Sequence, residues 1–564
     1  MIRSGKNLVY LILVAGGIIQ NSNAALTWPG CTDATDAQFK VTTLVNRTTH
    51  QIDEPMKMAF DLVAGPGEDA KDKVDIYFTE RMGKVRKFDA KQNKVITLGT
   101  LDVNPGASSS DGVLGIALDP AFKTNRFVYL YYTFQNASES SWRISRFTLN
   151  ATKEVLDLAS EKIVLKVPIK VGSQHPGGAL QFDAYGDLWI TTGNDWLPGT
   201  MAFPIWSSGN TNDLRGKILR IHPTADGNYT IPTGNLFPPG TAQTKPEIYV
   251  MGTRNAYTLT LDPVRRWATW GDIGPDAQDM DGKPMNTDAA MKAIDRTEEH
   301  NIALAPGNFG YPFFAGARTL MAGINAAKPI VPAGTDWGGY PKGLDTLPPA
   351  VAAIHNYSRG CAIAGPIYRY DGDLKSSIKF PPHFNRKWFY SDFNGNNNRL
   401  VLTTLSADGK SITATDTVLK NVSNSSVFAP LDFQAGPDGA LYINNYAGYR
   451  TVTSNTSIIR IEYTGTCQPV EPKLETIPTS LEPNVRGIGP GPGLEINQSR
   501  GVYANVTTVG EFHLEVRDLM GRPLATRSGR GQTHLALREI FHPGIYFISV
   551  STEKGVSSQK LVIQ

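Results

Sequence analysis

The sequence predicts an all-β fold, a β-propeller followed by a small second β-domain. Runs of mostly 4–8 residues, rich in Val, Ile, Tyr, Trp and Phe, recur between turn signals from about residue 38 to 467. Phrases with an Asp/Pro-x-Gly turn recur as well, as in FDAYGDLWI at 182–190 and AGPDGALYI at 435–443. Long helical periodicity is nearly absent. Such loosely repeated strands are typical of propeller blades, each a small antiparallel sheet beside a central channel.

Length and composition limit the number of domains and the kinds of partner that the sequence allows. The chain has 564 residues, which is more than one ordinary domain, and 41% of them are hydrophobic, which is enough for a real core. Charged residues make up 19% and the formal net charge is +3. Because the charges nearly balance, nucleic acid is not an implied partner.

The N-terminus resembles an export signal over residues 1–24. Arg3 and Lys6 precede an apolar run from Leu8 to Ile19, and small residues follow it. The alternative is a membrane anchor, but the run is too short to span a bilayer comfortably. No later segment is long and apolar enough to cross a membrane, so we expect an exported chain whose large domain spans residues 25–467.

The three cysteines leave one pairing open. Cys31 begins the mature chain and Cys467 ends the large domain, so a bridge between them would tie its two ends together. Sequence alone does not fix pairing, and unpaired cysteines are an equal alternative. No cysteine motif for zinc or covalent haem is present.

The composition changes after the large domain. Residues 468–493 are rich in Pro and Gly and predict a semi-extended linker. Residues 494–564 then show several alternating strands, which predict a small β-sandwich.

Several long phrases occur in a fixed order along the large domain. They include DGVLGIALDPAFKTNRFVYLYYTF (111–134), HPGGALQFDAYGDLWITTGND (175–195), NTNDLRGKILRIHP (210–223), PEIYVMGTRNAYTLTLDP (246–263), WGDIGPD (270–276) and PGNFGYPFFAG (306–316). In this order they resemble the glucose/sorbosone dehydrogenase family over about residues 40–465. The resemblance implies a six-bladed propeller, the cofactor pyrroloquinoline quinone (PQQ), a Ca²⁺ ion and oxidation of a sugar at C1.

His175 falls where the resemblance implies the catalytic base, which removes the C1 hydroxyl proton while hydride passes to PQQ. A histidine titrates near working pH and suits that role. The glycines Gly177 and Gly178 would let backbone approach a ligand closely. The alternative is an ordinary solvated loop histidine.

The resemblance also implies ligands for the cofactor and the metal. Arg254 and Asn255 match a pair that faces the quinone, and an arginine keeps its charge beside a developing oxyanion. Gly274 and Pro275 match a turn whose carbonyls bind Ca²⁺, an ion that prefers oxygen. The alternatives are a surface arginine and a plain turn.

Two further arginines, Arg369 and Arg399, lie near positions that pair with PQQ carboxylates in the family. Exposed arginines are common, so these two assignments depend most on the resemblance.

Three positions depart from the family pattern. Asn194 stands where the glucose enzymes have an aspartate that orients the base, and a one-residue shift would bring in Asp195 instead. Ser110, beside Asp111, and Tyr257 each replace a glutamine. We therefore expect a substrate that is read differently from glucose.

The last segment, FHPGIYFISVSTEKGVSSQKLVIQ, resembles the type A sorting domain of the type IX secretion system. The alternative is an ordinary carbohydrate-binding or filler sandwich. The resemblance implies passage through the periplasm and across the outer membrane by that secretion machinery.

The function expected from the sequence is a secreted or cell-surface PQQ- and Ca²⁺-dependent sugar dehydrogenase. Its electrons would pass to a separate acceptor, since no CxxCH haem motif is present. Two other functions remain open, since fold alone selects none: a non-catalytic propeller that binds carbohydrate or protein, and a surface adhesin.

Overall fold

A computed structural model shows the arrangement of most of the chain. It describes residues 38–103, 110–150, 152–170, 174–196, 206–275, 297–316, 318–319, 324–335, 337–358, 360–393, 400–419, 428–448, 452–465, 493–497, 503–507, 511–518, 523–530, 533–536, 544–552 and 555–563. The predicted signal peptide, Cys31, Cys467 and residues 468–492 of the predicted linker lie outside these ranges.

The first part of the chain builds a ring of small antiparallel sheets. It begins with β1 (Phe39–Asn46) and the short helix α1 (Arg47–His50), which precede the first complete sheet. The first sheet contains β2 (Pro55–Leu62), β3 (Val74–Glu80), β4 (Lys84–Asp89) and β5 (Lys94–Thr100). The second contains β6 (Val113–Leu118), β7 (Phe127–Gln135), β8 (Ser140–Asn150) and β9 (Val155–Pro168), with helix α2 (Phe122–Asn125) after β6.

The third and fourth sheets carry short additional strands. The third contains β10 (Gly177–Phe182), β11 (Leu188–Thr192), β12 (Lys217–Pro223), β13 (Tyr229–Thr230) and β14 (Ile248–Met251). The fourth contains β15 (Thr260–Leu261), β16 (Ala268–Asp272), β17 (Thr297–Ala303) and a later strand. Between β17 and that strand lie β18 (Gly307–Asn308), which extends the third sheet, and the hairpin of β19 (Phe314–Ala315) and β20 (Arg318–Thr319). The later strand of the fourth sheet is β21 (His355–Ser358).

The fifth and sixth sheets complete the ring. The fifth contains β22 (Ala362–Ile367), β23 (Lys387–Asp392), β24 (Leu400–Leu405) and β25 (Ile412–Val418). The sixth contains β26 (Pro430–Ala435), β27 (Leu441–Asn445) and β28 (Ser457–Tyr463), and β1 is its fourth strand. Because β1 pairs with β28 from Phe39 opposite Tyr463 onward, the first strand of the chain closes the ring through its last blade.

The core lies between neighbouring blades. A hydrophobic cluster fills each of the six interfaces, as expected when both faces of a sheet pack on another sheet. Fully buried tryptophans anchor several of these clusters: Trp142, Trp189, Trp270 and Trp388. Burial of such aromatic side chains is the largest contribution that single residues make to a core.

Small residues let the blades converge near the axis. The first strands of the six sheets, β2, β6, β10, β15, β22 and β26, lie innermost and run in the same direction. A Cβ added at Gly115 would lie 2.1 Å from the Gly178 carbonyl oxygen of the next blade, and one at Gly271 would lie 2.1 Å from that of Ala362. The starts of the inner strands therefore form one rim of the channel, and their ends form the other.

The C-terminal region forms two further sheets. One contains β29 (Gly493–Asn497), β30 (Tyr503–Thr507) and β33 (Thr533–Ala536), and the other contains β31 (Glu511–Asp518), β32 (Pro523–Arg530), β34 (Gly544–Thr552) and β35 (Gly555–Ile563). The predicted fold class, a six-bladed propeller followed by a small sandwich, is confirmed. Within the described ranges no helix is long and apolar enough to span a bilayer.

Candidate active site

His175 stands at the rim where the inner strands begin, two residues before β10. Its backbone takes a left-handed conformation with φ of 62°, which is uncommon for a residue other than glycine. Gly193, just after β11, makes this possible, because a Cβ there would lie 1.7 Å from the His175 carbonyl oxygen. The turn around His175, called the histidine turn below, therefore packs directly against the end of β11, which fixes its backbone.

The side chain of Asn194 fixes the imidazole of His175. The amide oxygen Oδ1 lies 2.8 Å from Nδ1 of the ring. Because an amide oxygen only accepts hydrogen bonds, Nδ1 carries the proton and Nε2 is left as the acceptor. The Trp196 indole stacks on the same imidazole, with ring centroids 5.3 Å apart and 17° between the planes. This is the tautomer that a general base needs.

The buried side chain of Arg254 lies close enough to act on His175. Burial and then the Arg254 charge lower the pKa of His175 well below its usual range, against the smaller opposing effect of the Asn194 hydrogen bond. The imidazole is therefore neutral at neutral pH. Arg254 is itself placed by Asp272, whose carboxylate accepts its backbone N–H at 2.9 Å, and by the Ile273 carbonyl, which accepts from its guanidinium at 2.9 Å.

Asn255 holds the histidine turn from the fourth blade. Its Oδ1 accepts the backbone N–H of Gly177 at 3.1 Å, and its own N–H donates to Asp272 at 2.7 Å. The side-chain oxygen predicted to face the cofactor is thus engaged with the backbone that follows His175. Asn255 and Asp272 together couple Arg254 to the base.

The hydroxyl of Tyr311 also belongs to this cluster. It lies beside the side chains of Arg254 and Asn194, and burial raises its pKa to about 12. The motif PGNFGYPFFAG contains Tyr311 but does not indicate a role for it. Nor does the sequence indicate roles for Trp196 and Asp272, because their roles depend on residues that are distant in the chain.

The turn at Gly274 and Pro275 follows β16 and is buried. The Gly274 N–H donates to the Glu298 carboxylate at 3.1 Å, and a Cβ at Gly274 would lie 2.2 Å from the Thr297 carbonyl oxygen. Burial raises the pKa of three carboxyl groups around this turn, Asp272 to about 6, Glu299 to about 7 and Glu298 well above its usual value. The turn lies where a cation would relieve the cost of buried carboxylates.

Asp195 and Arg369 do not join the His175 cluster. The Asp195 carboxylate accepts from the Arg215 guanidinium at 2.6 Å and from the Lys170 N–H, so the shift that would bring it to His175 does not occur and Asn194 contacts the ring. Arg369 follows the end of β22, at the opposite rim, and pairs with both carboxylate oxygens of Asp262. The roles expected of these two residues stay predictions that their observed partners do not support, and Arg399 lies outside the described residues.

Tyr257 follows Asn255 by two residues, and its side chain contacts the first blade. Its hydroxyl donates to the Met56 sulfur at 3.4 Å, and the Lys57 ammonium lies 3.7 Å from its ring centroid. A bulky aromatic here gives the channel a shape that a glutamine would not.

Comparison with known proteins gives a consistent family. The profile of the family described as Glucose / Sorbosone dehydrogenase matches residues 68–449. An uncharacterized protein of Synechocystis sp. is 30% identical over 38% of this chain and 53% of its own length. Quinoprotein glucose dehydrogenase B of Acinetobacter calcoaceticus is 25% identical over 43% of this chain and 48% of its own length. The chain thus spans about half the length of the curated relatives it matches.

A solved structure shares the fold. The soluble aldose sugar dehydrogenase of Escherichia coli, in its apo-form, superposes with a TM-score of 0.51 at 19% identity, covering 75% of this chain and 99% of that one. At this identity the likeness concerns the fold alone.

Proposed function

The chain belongs to the glucose/sorbosone dehydrogenase family, and on this premise we propose that it is a secreted dehydrogenase that oxidises an aldose or related sugar at C1, using PQQ and Ca²⁺. The single observation that carries the proposal is the fixed pair of His175 and Asn194 beside the Arg254 guanidinium. A neutral imidazole with a free Nε2 and a permanent cation nearby is what removal of a hydroxyl proton requires.

The residues of this rim fit a polar cofactor. Two buried polar atoms here have no hydrogen-bond partner among the described residues, Asp111 Oδ2 and Thr253 Oγ1. Buried polar atoms are normally paired, so a polar ligand accounts for them. PQQ, when bound, supplies the hydride acceptor. Arg254 would hold it, while the Arg369 guanidinium is paired with Asp262.

The Gly274–Pro275 turn fits a hard cation. The described residues contain no group of three or more His, Cys, Asp or Glu side chains placed to bind a metal, and the proposed site uses backbone oxygens. The carbonyl oxygens of Gly274 and Pro275 would be the ligands, and a cation bound there would favour the ionised forms of the buried Asp272 and Glu298 carboxyl groups, whose pKa values burial raises.

The protein's own part in the reaction follows from these positions. Nε2 of His175 accepts the C1 hydroxyl proton, as the hydride leaves C1, and the Arg254 cation stabilises negative charge that develops on oxygen. Asn194 keeps Nδ1 protonated throughout, so the ring accepts at one nitrogen only. As an amide it adds no negative charge, so the imidazolium readily gives its proton up again.

The replacement of His175 by alanine tests the proposal. We expect turnover of sugar to fall by at least about 10³-fold, because the base is lost, while PQQ binding stays within a few-fold of wild type. Sugar oxidation that persists in the His175→Ala protein would show that His175 is not the base.

A second function is favoured by two substitutions in the site. Asn194 and Tyr257 change the group beside the base and the shape of the channel, and both changes suit a non-catalytic propeller that binds carbohydrate or protein. Binding of sugar without oxidation, with PQQ and Ca²⁺ present, is the result that this alternative predicts.

Export completes the proposal. The signal-like residues 1–24 and the sandwich after residue 493 support secretion or cell-surface display by way of the periplasm, with the sandwich recognised by the type IX secretion machinery. A reporter protein carrying residues 1–24 and 494–564 should then reach the medium or cell surface of a type IX-competent host, and retention in the periplasm would reject the sorting role.

A further inference from the structure

Asp111 occupies the position in the second blade that His175 occupies in the third. Each lies two residues before the first strand of its blade, β6 or β10, and therefore at the same rim. The two turns are in contact, because a Cβ on Gly178 would lie 2.8 Å from the Leu114 Cβ. Tyr131 links the two turns. Its hydroxyl donates to the Pro176 carbonyl at 2.7 Å, and the charge of Asp111 acts on it electrostatically.

The carboxyl group of Asp111 is buried and half unpaired. The residue is 1% exposed, and Thr133 is its hydrogen-bond donor, at 3.4 Å from Oδ1. Oδ2 has no partner among the described residues. Leaving a buried carboxyl oxygen without a partner is unfavourable, so its retention at a ligand-binding rim points to a ligand that supplies the missing bond.

The backbone of Asp111 is held firmly, so the carboxyl is preorganised. The Arg81 guanidinium donates to the Asp111 carbonyl at 3.1 Å, and Arg81 O lies 2.1 Å from a Cβ built on Gly112. On the other side, the Thr133 N–H donates to the Gly112 carbonyl at 2.9 Å. A rigid carboxyl loses little entropy when it binds a ligand.

We propose that Asp111 is a specificity-determining residue that binds a hydroxyl group of the sugar through Oδ2, next to the base. A sugar hydroxyl can donate to the ionised carboxylate or accept from the protonated acid, and the first bond is the stronger because it is assisted by charge. The ligand class is thus a neutral polyhydroxylated ring. This inference rests on the proposed function, because it assigns a substrate contact in the same site.

The carboxyl group of Asp111 holds its proton more strongly than an exposed aspartate does. Burial raises its pKa to about 7, the Asp195 carboxylate also raises it, and Thr133 and the Arg81 guanidinium lower it. Tyr131 faces it as a neutral phenol, because burial raises that pKa well above its usual value. Sugar affinity should therefore vary around neutral pH through this group.

Steady-state kinetics of the PQQ- and Ca²⁺-loaded protein test the proposal through KM and kcat separately. In Asp111→Ala we expect KM for the best aldose to rise at least tenfold and kcat to change less than threefold. Asp111→Asn keeps hydrogen bonding, so its KM should stay within about threefold of the low-pH wild-type value and lose the inflection near pH 7. The matched control is Asp119→Asn, at the other end of β6, which should leave KM unchanged.

A KM within twofold of wild type in Asp111→Ala, or an unchanged inflection in Asp111→Asn, would overturn the inference even while the protein oxidises sugar. If Asp111→Ala does not fold, the pH dependence of KM in Asp111→Asn decides. Calorimetry of the aldoses against the cofactor-free protein separates the two claims. Sugar binding that Asp111→Ala weakens tenfold supports this contact even if no sugar is oxidised, and wild-type protein that binds no aldose overturns it.

Discussion

The Asn194 side chain holds the His175 imidazole through one hydrogen bond of 2.8 Å, from Nδ1–H to Oδ1. An aspartate in that position would hold the ring equally well and would also stabilise its protonated form. The amide does only the first, so the ring is oriented while its pKa stays low. The site thus holds a base that is neutral before the reaction and that readily releases the proton it accepts.

The replacement Asn194→Asp tests this relationship. A carboxylate beside Nδ1 favours the imidazolium, so the pKa of His175 should rise by about 1–3 units. Since loss of the neutral base limits activity on the acid side, the acid limb of kcat/KM against pH should move to higher pH by the same amount. An acid limb that does not move would mean that another group is the base.

Asn194→Ala is the companion variant. Without the hydrogen bond the ring is free to turn and to exchange tautomers, so kcat should fall about 10²-fold while the acid limb shifts little. Equal losses of activity and of thermal stability would indicate a merely structural role instead.

Gly193 is expected to tolerate no side chain. A Cβ there would lie 1.7 Å from the His175 carbonyl, which forces the histidine turn to move. Gly193→Ala should therefore reduce kcat/KM at least 10²-fold, because a displacement of about 1 Å at a base is costly. The matched control is Gly240→Ala, whose Cβ meets nothing within 4 Å and which should keep full activity.

Replacement of two arginines should affect different properties, turnover for Arg254 and the free energy of unfolding for Arg369. Arg254→Met removes the cation beside His175, so turnover should fall by about 10²-fold or more and the pKa of His175 should rise. Arg369→Met breaks the pair with Asp262 at the opposite rim. It should lower the free energy of unfolding by about 3 kcal/mol and leave PQQ affinity unchanged. Weaker PQQ binding in Arg369→Met, measured on folded protein, would restore the original assignment.

Removal of the C-terminal region tests the proposed domain boundary. A chain ending near residue 490 retains every strand of the six blades, including the β1–β28 closure. Its melting temperature should therefore stay within a few degrees of that of the full chain. A large fall would show that the sandwich stabilises the propeller.

The fold was predictable because the patterns that specify it lie within short segments of the chain. Each blade repeats short apolar strands and Gly-containing turns, as in FDAYGDLWI, and these patterns need no long-range information. The positions of His175 and Arg254 also followed from motif order. The structure brings the two residues close together from neighbouring blades.

The partners of these residues were less predictable. Asn194 and Asp195 are adjacent and both are buried, and only the strand geometry decides which one faces the imidazole. Arg369 occurs in a motif-like phrase, but it follows the end of its strand rather than the start. The unpaired oxygen of Asp111 has no sequence signature at all, since it is defined by which groups are missing around it.

The most direct test of the account is a titration of the cofactor-free protein with PQQ and Ca²⁺, followed by the absorbance of the cofactor, with a panel of aldoses added afterwards. We expect Ca²⁺-dependent binding, then bleaching of the quinone by a sugar in the wild type. In His175→Ala the same binding should occur without bleaching. Absence of PQQ binding at micromolar concentrations, or bleaching that survives in His175→Ala, would contradict it.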